Sequence, residues 1–160
     1  MDLITGGAAL PSHLRGGIVA LGNFDGFHAG HQAVVGAARD WARKLGRPAL
    51  VASFDPHPAR LFQPDVPPFS LSTISQRGEW LGQFGMDGAV VMPFNRALAA
   101  LSAEEFVSEW LVTRLGVAGV VTMALPGGWS MRCRTARARS ARPGCVPCCV
   151  MRGRGWRRSC

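Results

Sequence analysis

The alternation of short apolar runs with amphipathic segments constrains the fold of this chain most strongly. Each run is bounded by glycine or proline and is too short to be a helix of its own. Short buried strands that alternate with helices form parallel sheets, because the helices cover the sheet. The pattern therefore predicts an α/β protein. The predicted strands are 16–22, 48–54, 88–92 and 118–122, and the predicted helices are 32–45, about 73–84 and the segment capped by Ser102 and Glu105.

A glycine-rich turn with two histidines follows the first predicted strand and reads GNFDGFHAGHQAVV over 22–35. In parallel sheets, ligands bind at the carboxyl ends of the strands, and this turn lies at such an end. The following helix N-terminus offers unpaired N–H groups, while Gly26 and Gly30 permit close backbone approach. Because His28 and His31 can donate hydrogen bonds to phosphate oxygens, a phosphate site fits most of these features.

Two other interpretations of His28 and His31 remain open at this point. A zinc-binding pair on a helix usually has i, i+4 spacing, and no Cys or Glu is placed to complete the ligand set. Both residues could equally be ordinary loop histidines. The residues alone leave the choice between these and the phosphate site unsettled.

A proline-rich segment follows the second predicted strand and begins inside the motif SFDPHP at 53–58. Five prolines within 55–70 predict a stiff loop without regular structure. Taken alone, the motif is equally consistent with a strand end and a rigid turn. Asn95 follows the third predicted strand, where a helix N-cap is the better interpretation.

The positive charge of the chain is confined to its C-terminal end. The net charge is +8, yet residues 1–122 carry nine basic and ten acidic side chains. Residues 123–160 carry nine arginines, no acid and all five cysteines. This boundary predicts a body without nucleic-acid affinity over 1–122 and a disordered basic tail over 123–160.

The tail admits three interpretations: a nucleic-acid-binding arm, a metal site on Cys145, Cys148 and Cys149, or translation in a shifted reading frame of a GC-rich gene. Elsewhere, no apolar run approaches the roughly 20 residues of a membrane span. The N-terminus does not resemble a secretory signal. We therefore expect a cytoplasmic protein that does not bind membranes.

Three ordered blocks carry a family resemblance over about residues 10–122. The turn at 22–31 contains the HxGH signature of the nucleotidylyltransferase superfamily, and SFDPHP at 53–58 is the second block. The third comprises LSTISQRGEWLGQFGMDGAVVMPFN at 71–95 and LSAEEFVSEWL at 101–111. Together they resemble the N-terminal FMN adenylyltransferase (FAD synthase) domain of bacterial bifunctional riboflavin kinase/FAD synthetases.

The resemblance implies a Rossmann-like parallel sheet with helices on both faces, truncated here after the fourth strand. It implies an enzyme that transfers AMP from ATP to FMN, with magnesium accompanying ATP and no separate metal site. His28 and His31 would hold the ATP phosphates as catalytic residues. The resemblance implies ATP contacts from Asn23, Phe24, Asp25, Gly26 and Gly30. It implies flavin contacts from Phe54, Pro56, His57, Pro58 and Phe62.

After residue 122 the chain departs from the family pattern. The glycine-rich GxDFxFG or GxNFxFG motif and the SSTxxR-like motif are missing, as is the riboflavin kinase domain. We therefore expect impaired FAD synthesis. The alternatives are another HxGH enzyme, either a cytidylyltransferase or a pantetheine-phosphate adenylyltransferase, or a basic nucleic-acid-binding module acting through the tail.

Overall fold

A computed structural model of the chain describes residues 1–63, 65, 67 and 69–123, together with the backbone of 148–152 and 155–159. Within these residues the strands are β1 (Asp2–Ile4), β2 (Ile18–Leu21), β3 (Ala49–Asp55), β4 (Gly88–Pro93), β5 (Gly119–Met123), β6 (Cys148–Arg152) and β7 (Gly155–Ser159). The α-helices are α1 (Ala29–Lys44), α2 (Pro58–Phe62), α3 (Ile74–Gln83), α4 (Arg96–Ala99) and α5 (Ala103–Phe106). A π-helical segment, Val107–Arg114, continues α5, and 3-10 turns cover Ser12–Leu14 and Asp25–Phe27.

The described strands form one sheet in the order β1-β4-β3-β2-β5-β6-β7. The first five strands of that order are mutually parallel, and β2 lies between β3 and β5. The register pairs Val19 with Leu50 on one side and with Val120 on the other. The four predicted strands and their parallel arrangement are therefore confirmed.

Helices cover both faces of the sheet, as predicted. On one face, Ile18 and Val51 pack with Val34 and Ala38 of α1, and α3 adds Leu81. On the other face, buried residues of β2, β3 and β5 pack against Leu111 of the π-helical segment. This two-sided burial explains why the strands are continuous apolar runs rather than alternating ones. The fold is a Rossmann-like α/β sandwich.

Three helix starts follow directly from side-chain caps. The Ser102 hydroxyl accepts from the Glu105 amide, and the Glu105 carboxylate accepts from the Ser102 amide, as the capping-box pattern predicted. Asn95 is the N-cap of α4, with its side-chain oxygen accepting from the Leu98 amide. Thr73 and Gln76 form a second capping box at the start of α3.

The structure differs from the sequence expectation at three places within the parallel part. Strand β1 was not predicted, because three residues are too few to show a period and only Ile4 is buried. Helix α1 begins three residues before the predicted start, so that His31 lies in its first turn. The 55–70 segment is not wholly irregular: Pro58 occupies the first turn of α2, where its missing N–H costs nothing.

The sheet also continues past the fourth predicted strand. The backbone of β6 pairs antiparallel with β5, with Val121 opposite Val150, and β7 pairs with β6. Without β6, strand β5 would be an edge strand with free N–H and C=O groups, and the hairpin of β6 and β7 pairs with these groups. The predicted disorder of 123–160 and the cysteine metal site stay predictions, because most of 124–160 and all of its side chains lie outside the described residues.

Candidate active site

The carboxyl ends of β2, β3 and β4 bring the predicted ATP and flavin residues to one edge of the sheet. The loop after β2 leads to the histidines, and the loop after β3 leads into the proline-rich segment. Asn23 joins the two loops, because its side-chain oxygen accepts from the Phe54 amide at 3.4 Å. Parallel topology therefore places the two predicted groups side by side, although 23–31 and 54–62 are separate in sequence.

His28 and His31 form a stacked pair at the N-terminus of α1. His28 is the N-cap residue, and the two rings lie 3.7 Å apart between centroids with an interplanar angle of 24°. Gly30 makes room for this arrangement, since a Cβ atom at that position would lie 3.1 Å from Cε1 of His28. Both imidazoles thus lie beside the free N–H groups of the helix, where an anion is favoured.

The pKa of His31 is lowered in the folded protein, which favours the neutral imidazole. Burial lowers its pKa, proximity to His28 lowers it further, and Asp25 opposes both effects only in part. The buried Nδ1 atom has no hydrogen-bond partner among the described residues. The ring edge contacts Phe24 in a T-shaped arrangement at 5.4 Å. An unpartnered buried polar nitrogen is costly, and a ligand that bonds to it would remove the cost.

Phe24 contributes to this arrangement from the core. Its side chain is 2% exposed, and its backbone has a positive φ of 51°. An aromatic residue in that conformation is held there by its packing. Phe24 therefore orients His31, and any contribution to an ATP site would come through that contact.

Asp25 fastens the histidine loop to residues 70–72. Its carboxylate accepts from the Leu71 and Ser72 amides, both at 2.9 Å, and from the hydroxyls of Ser72 and Ser70 at 2.6 and 3.2 Å. Partial burial raises its pKa, but these hydrogen bonds outweigh burial and the net pKa is lowered. Both oxygens of this predicted ATP residue are thus engaged by the protein.

Two further contacts complete the loop. The Gly26 amide donates to the Ser72 hydroxyl at 3.1 Å, and a Cβ at Gly26 would clash with Leu71 at 2.8 Å. Gly26 also has a positive φ of 72°, which favours glycine. On the other side, the Arg77 guanidinium donates to the Asn23 carbonyl at 3.0 Å. The loop is therefore shaped before any ligand binds.

The predicted flavin residues form a more exposed group. Phe54 and Phe62 each approach Phe94, with centroid distances of 5.4 and 6.1 Å, and Phe62 is 59% exposed. His57 is the N-cap of α2, where Nδ1 accepts from the Ala59 amide at 3.1 Å. His57 thus braces the turn between Pro56 and Pro58, and its ring nitrogen Nδ1 is already engaged.

A small pocket of about 100 Å³ lies between the two loops. Charged and aromatic side chains line it: Asp25, Asp55, Arg60, Arg77, Phe54 and Phe69. A larger cleft of about 390 Å³ opens beside Trp80 and Phe84, and of the predicted site residues only Gly26 lines it. The small pocket is therefore the cavity that joins the predicted ATP and flavin groups.

Sequence reasoning missed Ser70, Ser72 and Arg77. Each contacts the histidine loop across 45 to 54 residues of chain. No local spacing signals such a contact. The one available hint was Asp25 itself, because a carboxylate among glycines needs donors from elsewhere in the fold.

Two further findings bear on function. Among the residues with described side chains, no three His, Cys, Asp or Glu residues converge as a metal site. In the same part of the chain, no helix has the length and apolarity to cross a membrane. The described side chains therefore supply no third ligand for a zinc ion at His28 and His31.

Together, the parallel sheet and the helices on its two faces define a Rossmann-like α/β protein, and the candidate site lies at the carboxyl edge of its strands. A family of known proteins matches most of this region. The FAD synthetase family matches residues 10–123, and the chain belongs to that family.

Similar curated proteins are named bifunctional riboflavin kinase/FMN adenylyltransferases. The chain is 39% identical over 117 residues to the bifunctional riboflavin kinase/FMN adenylyltransferase of Pseudomonas fluorescens, covering 73% of this chain and 37% of that protein. It is 36% identical over 103 residues to the Escherichia coli K12 protein of the same name, covering 64% and 33%. The Bacillus subtilis protein is 34% identical over 96 residues, covering 59% and 30%. The chain thus spans about a third of the length of these relatives.

A solved structure supports the fold. The chain superposes with a TM-score of 0.65 on a crystal structure described as a macrolide-efflux protein from Streptococcus pneumoniae. The identity is 23%, and the match covers 76% of this chain and 41% of that one. At this identity the likeness concerns the fold alone.

Proposed function

We propose that this chain transfers AMP from ATP to FMN, forming FAD and pyrophosphate. The observation that carries the proposal is the stacked His28–His31 pair at the start of α1, in which Nδ1 of His31 has no hydrogen-bond partner among the described residues. Membership of the FAD synthetase family and the FMN adenylyltransferase relatives support it.

In the proposed reaction, an oxygen of the FMN phosphate attacks the α-phosphorus of ATP. The new P–O bond forms as the bond to the β-phosphate bridging oxygen breaks, and pyrophosphate leaves with that electron pair. No covalent enzyme intermediate is needed. Catalysis then consists of positioning and electrostatic stabilisation, and well-oriented reactants can gain roughly 7–11 kcal/mol.

His28, His31 and the first amides of α1 would bind the ATP phosphates. A neutral imidazole donates through one nitrogen, and the helix N-terminus adds partial positive charge. Asn23 and Gly26 give the loop its shape, and Gly30 gives the rings their space. Phosphate charge near His31 would also raise its pKa and strengthen the hydrogen bond.

Magnesium would enter with ATP. Both Asp25 oxygens accept hydrogen bonds from residues 70–72, so this carboxylate is not free to bind a cation directly. Magnesium usually retains several waters and is held largely by substrate phosphates, which fits these residues. Its role would be to neutralise charge on the phosphates.

The exposed aromatic group would receive the flavin. Phe54 and Phe62 offer ring faces, and Pro56 and Pro58 offer flat apolar surfaces to the isoalloxazine system. His57 would hold this segment in shape through its cap on α2. We further propose that the protein acts in the cytoplasm on small molecules, without a membrane or nucleic-acid partner.

Flavin fluorescence provides the test. Titration of the protein into FMN is expected to change the fluorescence, and addition of MgATP to give FAD and pyrophosphate in equal amounts. We expect a rate well below that of an intact family member, because the family's arginine and glycine-rich motifs are missing after 122. Removing one charge-stabilising donor typically costs about 10²–10³ in rate.

Absence of FMN binding at high micromolar protein would contradict the flavin assignment and favour a cytidylyl- or pantetheine-phosphate acceptor. FAD formation at the full rate of an intact family member would show that residues after 122 replace the missing motifs. Salt-sensitive DNA binding that disappears with the tail would instead support a nucleic-acid module.

A further inference from the structure

Arg60 is a pocket-lining cation without a partner in the described part of the chain. It lies on α2, is exposed, and lines the small pocket between the two loops. The other arginine of the lining, Arg77, donates to the carbonyls of Asn23 and Thr73. Asp25, across the pocket, is occupied by residues 70–72. Arg60 is thus the lining cation whose donors are all available to a ligand.

The pocket is small, with a volume of about 100 Å³, and it combines charged with aromatic lining residues. The aromatic ones are Phe54, which is partly buried, and Phe69, which is 81% exposed. A ligand with a planar ring and a compact charged end would place the ring on these residues and the charged end inside.

The charges of the lining make binding depend on Arg60. The lining contains two acidic residues, Asp25 and Asp55, and two arginines, Arg60 and Arg77, so these charges balance. Without Arg60 the lining would be net negative and would repel an anion. A phosphate monoester carries about −1.5 to −2 charge near pH 7 and pairs well with the planar donors of a guanidinium.

We propose that Arg60 binds the phosphate of FMN and thereby selects FMN over unphosphorylated riboflavin. The inference rests on the proposed function, since it assigns one residue a role toward the acceptor substrate. The pocket adjoins the histidine loop through Asp25, which belongs to both. A phosphate held there would lie next to the loop that is proposed to hold ATP.

Paired titrations with FMN and riboflavin test the assignment. For the full chain we expect Arg60→Gln to weaken FMN binding about tenfold or more, in line with loss of a charge-assisted hydrogen bond. Riboflavin binding should change less than twofold, because riboflavin has no phosphate. Arg60→Lys should restore part of the FMN affinity, since it keeps the charge but loses the planar fork.

Arg43→Gln is the matched control, because Arg43 is an exposed arginine in the last turn of α1 and does not line the pocket. It should leave both flavin affinities unchanged. Wild-type FMN binding that persists in Arg60→Gln would overturn the assignment of Arg60 and leave the proposed function standing. Equal loss of FMN and riboflavin in that variant would give Arg60 a structural role instead. Failure of the wild type to bind FMN would overturn both proposals.

Discussion

The histidine loop, residues 22–31, and the proline-rich segment, residues 55–70, lie side by side but are built in opposite ways. Hydrogen bonds from distant residues hold the histidine loop, and its Phe24 is buried in the core. In the described part of the proline-rich segment, Phe62 and Phe69 are more than half exposed, and His57 caps the short helix α2. The histidine loop is thus held in its shape by the rest of the protein, whereas the proline-rich segment presents exposed aromatic rings.

This contrast matches the two kinds of ligand proposed. Phosphate recognition depends on donors fixed at defined positions, since preorganised dipoles need not reorganise when charge develops. A flat aromatic ring depends mainly on apolar area and is less sensitive to exact position. Mutations that remove the hydrogen bonds of the histidine loop should therefore lower stability, whereas mutations of the exposed rings in the proline-rich segment should affect binding alone.

Removal of the Asp25 carboxylate should produce the largest effect. Asp25→Ala leaves the Leu71 and Ser72 amides and the Ser72 hydroxyl without their acceptor, so we expect a loss of about 2–3 kcal/mol in unfolding free energy. Urea denaturation measures it. Asp65→Ala is the control within the proline-rich segment, where an exposed side chain should change stability by less than about 0.5 kcal/mol. Similar losses in both variants would remove the contrast between the two regions.

Phe62→Ala should show the reverse behaviour. The side chain is 59% exposed, so we expect a stability change below about 0.5 kcal/mol. FMN affinity should fall about tenfold with MgATP affinity unchanged, because an aromatic face is lost from the flavin surface. Val112→Ala, at an equally exposed apolar position on the π-helical segment, should alter neither affinity. Equal loss of both ligands in Phe62→Ala would undo the assignment of this segment to flavin.

Gly30→Ala tests whether the histidine stack itself matters. The added Cβ would lie 3.1 Å from Cε1 of His28 and would tilt that ring away from His31. We expect a few-fold loss of MgATP affinity with FMN affinity retained. Chemical shifts of the two imidazoles would report the displaced ring, and unchanged shifts together with unchanged ATP binding would show that the stack has no role.

The smallest effect concerns pH. The folded-state pKa of His31 lies below its unfolded value of about 6.5, because burial and His28 disfavour the charged form. Between these two values the unfolded chain binds more protons. The stability contributed by His31 is thus present above about pH 6.5 and is lost as the pH falls through the folded pKa. Urea denaturation of wild type and His31→Asn at pH 7, 6 and 5 should show a shallower slope in the variant.

Asp25 acts in a separate range. Its folded pKa is also lowered, so its contribution is present above about pH 3.9 and is lost at more acidic values. Asp25 therefore does not contribute to the pH dependence of the unfolding free energy between pH 7 and 5. If His31→Asn leaves that dependence unchanged, His31 does not contribute to it either, and the lowered pKa assigned to His31 is contradicted.

How far the sequence predicts this molecule depends on how local each signal is. Buried strands such as Ala49–Asp55 and caps such as Ser102 are encoded within a few residues, and they were predicted. His28 and His31 were found as a pair through the glycine-rich turn and its HxGH signature, whereas their stacking is seen only in the structure. Strand β1 was missed because its pairing with β4, rather than its own composition, makes it a strand.

The same limit applies to the site. Asp25 was predicted to line an ATP site, but its bonds to Ser70 and Ser72 depend on how the chain returns after 45 and 47 residues. Arg60 belongs to no sequence motif, and only its position in the lining of the pocket between the loops makes it a candidate. Long-range hydrogen bonds and pocket linings are properties of the assembled fold, so spacing alone could not reveal them.

Calorimetric titration of MgATP into the folded full chain tests the central claim most directly. If the stacked pair at the start of α1 binds the phosphates, His31→Ala should weaken MgATP binding by at least about tenfold. His13→Ala should bind as the wild type does, because His13 is paired with Asp2, outside the site. Circular dichroism should show the fold retained in both variants. Equal MgATP affinity in wild type and His31→Ala, with both proteins folded, would contradict the assignment of this site to ATP.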